Sequence, residues 1–239
     1  IVFTSCGTES DNAAINAAIN AFPDKKHIIT SNVEHPAINN LYKHLQAKKG
    51  YEVTFVPVDE KGFLDLDLLY KSMSDNTAIV SLMWANNETG VLFPIEEIAK
   101  KANEKGILFH TDAVQAAGKI PIDVKKTGVD MLSLSGHKIH APKGIGVLYV
   151  KKGFKFSPLL IGGHQEKGRR GGTENTVSII GLGKACELAK ANLPIMDTRV
   201  RELRDYLQTQ LLEKIPGSSV NGDLEQRLPS TLYIGFDAV

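Results

Sequence analysis

Short apolar segments alternate with amphipathic segments along most of this chain, and no other feature limits its possible folds as much. Runs rich in β-branched and aromatic residues predict strands at residues 1–5, 27–32, 51–56, 77–84 and 107–110. Periodic apolar residues predict helices at 11–21, 36–49, 65–73 and 94–105. This order favours the α/β class, as a three-layer sandwich whose mostly parallel, mixed sheet is covered by helices.

The rest of the chain predicts an antiparallel strand pair and a second, smaller domain. Residues 131–134 and 144–150 predict two strands with no helix between them, which suits an antiparallel pair. A mobile, glycine-rich loop precedes a helix at 175–191, and an amphipathic helix and two short strands follow. Residues 192–194 are the predicted boundary between a large domain, 1–192, and the beginning of a small α+β domain, 193–239.

Composition and charge exclude several classes of protein. The 239 residues, 42% hydrophobic and 23% charged, can bury roughly 70–75% of the unfolded chain's surface. A net charge of +1 predicts no nucleic-acid partner, and no apolar run approaches the ~20 residues of a membrane span. The chain begins and ends inside predicted strands, so we expect it to be a fragment. This leaves open whether a targeting segment lies upstream.

Cysteine usage indicates a reducing compartment. Cys6 and Cys186 are the two cysteines, and neither belongs to a CxxC or Cys/His spacing typical of a metal site. Both are expected to be inert core thiols. We therefore predict a cytoplasmic protein with no disulfide framework and no metal site.

One carboxylate and one lysine follow neighbouring predicted strands. Asp112 comes after the strand at 107–110, and Lys138 follows the one at 131–134. The carboxyl edge of an open α/β sheet is where ligands bind. A lysine between two apolar runs is expected to be partly desolvated, which makes its amine a better nucleophile. The pair suits a Schiff base with pyridoxal phosphate (PLP), with the aspartate holding a proton on the pyridine nitrogen.

Each of the two residues also has a plain structural alternative. Asp112 could cap a helix, and Lys138 could be a surface lysine, although Lys143 is better placed for that role.

Four further polar groups have both a functional and a structural interpretation. Residues 7–12 could bind a phosphate at a helix start or be an ordinary N-terminal cap. His35 could stack on a flat ligand, move a proton, or be purely structural. Residues 86–90 could line the same sheet edge or form a turn. Arg169 and Arg170 could bind a phosphate or carboxylate, or stay solvated beside Lys167.

Taken together and in order, these motifs resemble a known family. They are SCGTESDN from residue 5, EHPA from 34, WANNETG from 84, HTDAVQ from 110, SGHK from 135 and RRGGTEN from 169. The whole chain resembles cysteine desulfurases of the NifS/IscS type, which belong to the class-V aminotransferases and have the fold of the type I PLP-dependent transferases. Each motif is moderately specific, and the ordered set is highly specific.

The resemblance implies a role for each matching residue. Lys138 would bind PLP covalently and then act on the α-proton, Asp112 would pair with the pyridine nitrogen, and His35 would stack on the ring. Asn87 and Gln115 would lie near the ring's phenolic oxygen. Thr173 would reach the cofactor phosphate of the neighbouring subunit in a homodimer. The phosphate of the chain's own cofactor would be held by Gly7, Thr8, Ser135 and His137.

The implied reaction converts L-cysteine to L-alanine and leaves the sulfur as a persulfide on an enzyme cysteine. From there it passes to an acceptor such as an iron–sulfur scaffold protein. Neither Cys6 nor Cys186 matches the family's persulfide cysteine, so this chain is expected to be inactive in sulfur transfer. Two alternatives remain: another PLP enzyme of this fold, such as a selenocysteine lyase or an aminotransferase, and a non-catalytic scaffold that kept the fold.

Overall fold

The computed structural model describes residues 1–237, and a seven-stranded mixed sheet forms its centre. The strands are β1 (Val2–Thr4), β2 (His27–Ser31), β3 (Glu52–Val56), β4 (Thr77–Met83), β5 (Leu108–Asp112), β6 (Met131–Ser135) and β7 (Gly146–Val150). Their spatial order is β1-β7-β6-β5-β4-β2-β3, and β7 alone within this sheet runs against its neighbours. The antiparallel pair expected after residue 131 is therefore confirmed, and so is the mostly parallel α/β sheet.

Helices cover both faces of the sheet. They are α1 (Gly7–Ala21), α2 (Pro36–Lys49), α3 (Leu66–Ser72), α4 (Ile95–Glu104), α5 (Val124–Thr127), α6 (Gln165–Gly168), α7 (Thr176–Ile195) and α8 (Arg201–Lys214). On one face α1 and α2 pack on a core that includes Ile79 and Met131. On the other, α3 and α4 pack on one that includes Val80 and Leu132. Adjacent strand residues thus point to opposite cores, as the pleat requires.

Proline and glycine mark helix ends as expected. Pro36 is the first residue of α2. A backbone N–H at this position has no partner within the helix, so proline costs no hydrogen bond there. Gly50 ends the same helix with φ of 69°, a left-handed conformation that glycine adopts without strain. The start of α1 was predicted too late: the helix begins at Gly7, immediately after β1, so Ser10 and Asp11 lie buried within it and do not cap it.

The predicted domain boundary falls inside a continuous helix. Residues 192–194 belong to α7, and a π-helical segment, Met196–Val200, joins α7 directly to α8. Pro194 is accommodated within this helix. The small sheet of β8 (Ser218–Val220) and β9 (Ile234–Phe236) follows, as the sequence predicted. The division at residue 192 itself stays a prediction, and residues 238 and 239 lie outside the described part. Within residues 1–237 there is no helix whose length and apolarity would let it cross a bilayer.

Candidate active site

The carboxyl ends of β4, β5 and β6 bring three side chains together. Met83 on β4 pairs in register with Asp112 on β5, and Asp112 pairs with Ser133 on β6. Ser135 ends β6 two residues further on. Since β1 runs parallel to β6, its carboxyl end and the start of α1 reach the same edge. This edge is where ligands bind in open α/β sheets.

A cavity of about 270 Å³ opens at this edge, and nine of the ten residues predicted for the site line it. These nine are Gly7, Thr8, His35, Asn87, Asp112, Gln115, Ser135, His137 and Lys138. Five further residues complete the wall: Cys6, Asp11, Met83, Ala85 and Val114. The strand register thus assembles motifs that are up to 131 positions apart in the sequence, from Gly7 to Lys138.

Asp112 is held firmly in the cavity wall. Its Oδ1 accepts the Val114 N–H at 2.9 Å, and the residue is 7% exposed. Burial raises the pKa of the Asp112 carboxyl, and the Val114 amide and the charges of His35 and Lys138 act in the opposite direction. A cation placed against this carboxylate would stabilise its ionised form. The helix-cap alternative for Asp112 is wrong, because a turn and not a helix follows β5; one oxygen holds that turn, and the residue lines the cavity.

The other end of the cavity carries donors that suit a phosphate. Ser135 Oγ lies 2.9 Å from His137 Nδ1, and Thr8 adds a hydroxyl. Among residues 1–237 no side chain caps the N-terminus of α1, so its first amide groups are available to an anion. A Cβ on Gly7 would lie 3.0 Å from Val114 Cγ2 and 3.3 Å from Ser135 Cβ, so glycine permits this close approach. Hydroxyls, a histidine and helix amides are a donor set that fits a phosphate ester.

Lys138 lies in a 3₁₀ turn, Gly136–Ile139, directly after β6. The apolar runs on either side do not bury Lys138: the residue is exposed, and it lines the mouth of the cavity. The reason is geometric, since β6 ends at Ser135 and the turn carries the following residues out of the sheet. Lys143, the alternative surface lysine, is exposed too but is not among the lining residues.

His35, Asn87 and Gln115 lie around the same opening. His35 is exposed and caps α2, because its Nδ1 accepts the Ala37 N–H at 3.2 Å. Asn87 follows β4 in an exposed turn. Gln115 is partly buried, and its Oε1 accepts a hydrogen bond from Lys119 Nζ at 3.0 Å. His35 thus has a structural contact, and it also lines the cavity.

Sequence reasoning missed two buried acids at this site, Asp11 in the cavity wall and Glu34 near it. Asp11 is 1% exposed, its Oδ1 lies 3.7 Å from His110 Nε2, and burial together with the Asp112 charge raises the pKa of Asp11 well above its usual range. Glu34 is 4% exposed, and burial raises its pKa to about 8. Glu34 Oε1 accepts bonds from Ser31 Oγ at 2.6 Å and from the Met83 amide at 3.0 Å. Both acids belong to motifs described above, Asp11 to residues 7–12 and Glu34 to the segment before His35.

His110 belongs to β5 and is the buried histidine that approaches Asp11. Its two ring nitrogens are within 2.8 Å of Ser81 Oγ and 2.9 Å of Ser133 Oγ. Complete burial lowers the pKa of His110 to about 3. Two hydroxyls therefore hold a neutral imidazole ring, and His110 contributes no positive charge to the acids around it.

Both cysteines differ from the expectation of inert core thiols. Cys186 is exposed on the surface of α7, although Leu182 and Ala185 of the same helix are buried. Cys6 is half-buried, precedes α1 and lines the cavity beside Gly7. Cys6 is therefore a wall residue of the site.

Thr173 lies apart from the other predicted residues. It is exposed and lines a second cavity, of about 220 Å³, together with Ser5 and Arg170. The structure therefore does not bring it into the cavity that holds Asp112 and Lys138.

Comparisons with known proteins agree with this arrangement. The family model for class-V aminotransferases matches residues 1–239. A cysteine desulfurase from Nostoc sp. (strain PCC 7120 / SAG 25.82 / UTEX 2576) is 59% identical over 99% of this chain and 59% of its own length. The cysteine desulfurase NifS of Azotobacter vinelandii is 55% identical over 100% of this chain and 59% of its own length. A solved structure of a NifS-like protein superposes with a TM-score of 0.94 at 40% identity, covering 99% of this chain and 65% of that one.

The chain thus spans about three fifths of the length of these curated relatives. The family is one of PLP-dependent enzymes, so the cofactor expected from the motifs is confirmed at this level. Its PLP-dependent large-domain fold agrees with the sheet and helices described above. The chain belongs to the class-V aminotransferase family of PLP-dependent enzymes.

Proposed function

We propose that this chain forms the PLP-binding part of a cysteine desulfurase that converts L-cysteine to L-alanine and delivers the sulfur, as an enzyme persulfide, for iron–sulfur cluster assembly. The observation that carries the proposal is one cavity lined by Asp112, Lys138 and a set of phosphate donors. The names of the most similar relatives support the choice of cysteine over other amino acids.

The residues of the cavity would hold the two ends of the cofactor. Gly7, Thr8, Ser135 and His137 would bind the phosphate, and Asp112 would hold the proton on the pyridine nitrogen. PLP, when bound, withdraws electrons from the α-carbon of the attached amino acid and so acidifies its proton.

Three further side chains would act around the ring and the substrate. The Lys138 amine, at the mouth of the cavity, would attach the cofactor and later move the proton at the α-carbon. His35 would stack on the ring, and Asn87 and Gln115 would orient its phenolic oxygen. The exposure of Lys138 leaves its amine room to leave the cofactor when substrate binds.

The sulfur acceptor of the reaction would not belong to these 239 residues. Cys186 lies on α7 and is not among the lining residues of the cavity. Cys6 lines the cavity but precedes α1 directly, where the helix fixes its backbone. A persulfide carrier must reach both the substrate sulfur and an external acceptor, which favours an exposed, mobile thiolate.

The proposal includes a homodimer. Thr173 would contact the cofactor phosphate of the neighbouring subunit, which agrees with its exposed position beside the second cavity. Large exposed apolar side chains lie nearby at Ile161 and Val177 and would be covered by that subunit. Free thiols at Cys6 and Cys186 are compatible with the cytoplasmic location that we propose.

The test is product analysis of the full-length, PLP-loaded protein with L-cysteine. We expect equal amounts of alanine and of sulfur released by a reducing thiol, and no product from a Lys138→Ala variant. A Lys143→Ala variant serves as the control. Turnover of L-selenocysteine alone, or transfer of the amino group to a 2-oxo acid, would contradict the proposal and favour one of the related PLP activities.

A further inference from the structure

An ion pair joins the glycine-rich loop to the first turn of α1. Arg170 Nε lies 2.9 Å from Glu9 Oε1, and Arg170 Nη2 lies 3.3 Å from Glu9 Oε2. The side chains are only 22% and 11% exposed. Glu9 Oε2 also accepts the Ser5 N–H at 2.8 Å. Such a two-point, partly buried contact fixes both position and orientation.

The loop needs a contact of this kind. Glu166 and Lys167 have φ of 50° and 59°, a left-handed conformation that non-glycine residues rarely adopt. The loop closes where the Gly171 N–H donates to Leu160 O at 2.9 Å. A Cβ on Gly171 would lie 2.6 Å from Gly162 N, so the two loop arms touch through their backbones. Local preference does not favour this shape, and long-range contacts must hold it.

The first turn of α1 lines one cavity and is bonded to an arginine that lines the other. Gly7 and Thr8 line the cavity that holds Asp112 and Lys138. Glu9, the next residue, bonds to Arg170, which lines the second cavity together with Thr173. A shift of the loop would therefore move Thr173 and pull on the turn that carries the phosphate donors.

We infer that Arg170 and Glu9 are positioning residues that hold the Thr173 loop in register with the phosphate-binding turn and so couple the two cofactor sites of the dimer. The coupling rests on the proposed function, because it needs Thr173 to serve the neighbouring subunit. Burial raises the pKa of Glu9, but its hydrogen bonds to Arg170 and Ser5 lower that pKa by more, so the net shift is downward. The carboxylate is therefore ionised and fit for this role.

Hydrogen exchange of the cofactor-free protein tests the positioning alone. Arg170→Gln and Glu9→Gln should each raise the exchange rate of the Gly171 amide about tenfold. The double variant should exchange no faster than either single variant, and Arg170→Lys should exchange more slowly than Arg170→Gln. Arg169→Gln is the matched control, because Arg169 bonds to the backbone oxygens of Ile1 and Glu166. Unchanged Gly171 exchange in both single variants would overturn the inference.

A mixed dimer tests the coupling. One subunit carries Lys138→Arg and Arg170→Gln, so borohydride-reducible PLP is held only by the unmodified subunit. We expect this PLP to dissociate about tenfold faster than from a mixed dimer whose first subunit carries Lys138→Arg alone. An equal rate in the two mixed dimers would overturn the coupling. A PLP-loaded protein that is monomeric by light scattering would refute the proposed dimer and the coupling, while the exchange result would still judge the positioning.

Discussion

The Asp112 carboxylate accepts the Val114 N–H at 2.9 Å, and this bond fixes its direction within the cavity wall. An exposed carboxylate without such a bond could rotate about its side-chain torsions. Here one oxygen is bound to the turn that follows the strand, and the residue is 7% exposed. Asp112 is therefore pre-organised to meet a cation, which is the property a pyridinium partner requires.

The Asp112→Ala variant should still bind PLP but should catalyse α-proton exchange slowly. Without the carboxylate the pyridine nitrogen loses its proton, so the charge developing at the α-carbon is poorly stabilised. Removing such a charge partner commonly costs ~10²–10³-fold in rate. The measurement is α-proton exchange of a substrate amino acid in the full-length enzyme.

Asp123→Ala is the matched control for this variant. Asp123 accepts the Lys125 N–H at 3.0 Å, the same two-residue turn bond, at the start of α5. Exchange near the wild-type rate in Asp112→Ala would refute the role assigned to Asp112.

Lys138 should hold PLP covalently. Its amine lies at the mouth of the cavity, at the end of the segment that also supplies Ser135 and His137. Borohydride reduction followed by peptide mapping by mass spectrometry should find the pyridoxyl group on Lys138. An adduct on Lys143, or none in a folded, PLP-loaded sample, would contradict the assignment.

The sequence was sufficient to predict the sheet edge and nine wall residues, because strand ends and polar clusters are local signals. Asp112 and Ser135 each follow an apolar run, and parallel strands end at one edge. Burial was harder to predict, since it depends on where the chain turns after a strand. Lys138 leaves the sheet in a 3₁₀ turn, and Cys186 faces outward on α7. Asp11 and Glu34 were missed as buried acids, because their burial and their closeness to Asp112 arise only in the assembled fold.

Thr173→Ala should weaken PLP retention without unfolding the subunit. Thr173 is exposed, so the loss of its hydroxyl removes no buried contact of its own chain. If it binds the phosphate of the neighbouring subunit, the variant lacks one hydrogen bond to a charged group, and PLP should dissociate at least about tenfold faster. The dissociation rate and circular dichroism are measured on the same sample. Wild-type retention in a PLP-loaded dimer would show that Thr173 has no such contact.

Glu34 should make stability fall as pH rises. Burial raises the pKa of Glu34 to about 8, whereas in the unfolded chain this carboxyl has its ordinary pKa of 4.5. Between these values the folded state keeps a proton that the unfolded state has lost, so the free energy of unfolding falls by up to ~1.4 kcal/mol per pH unit. Below pH 4.5 and above pH 8 this contribution no longer varies.

Glu34→Gln should flatten that dependence. The glutamine Oε1 can still accept the bonds from Ser31 and the Met83 amide, and it has no charge to bury. Urea unfolding at pH 5.5, 6.5 and 7.5 compares the variant with wild type and with Glu60→Gln, an exposed control. Parallel pH profiles for all three proteins would show that Glu34 does not titrate as described.

The 239-residue chain alone should not release sulfide from L-cysteine at enzymatic rates. Cys6 is the one cysteine of the chain that lines the cavity, so it is the residue that could contradict this prediction. It precedes α1 directly, where the backbone is fixed, and its Sγ lies 3.7 Å from the Ser5 hydroxyl. A thiol held in this wall can be near the substrate, but it cannot carry sulfur outward.

The experiment compares this chain with the full-length protein for alanine and sulfide under the same thiol conditions, each also as Cys6→Ser and Cys186→Ser. We expect the chain to be inactive in every form, and the full-length protein to keep its activity in both variants. Comparable turnover by the chain, abolished by Cys6→Ser and unaffected by Cys186→Ser, would make Cys6 the sulfur acceptor and would show that the nucleophile lies within these residues.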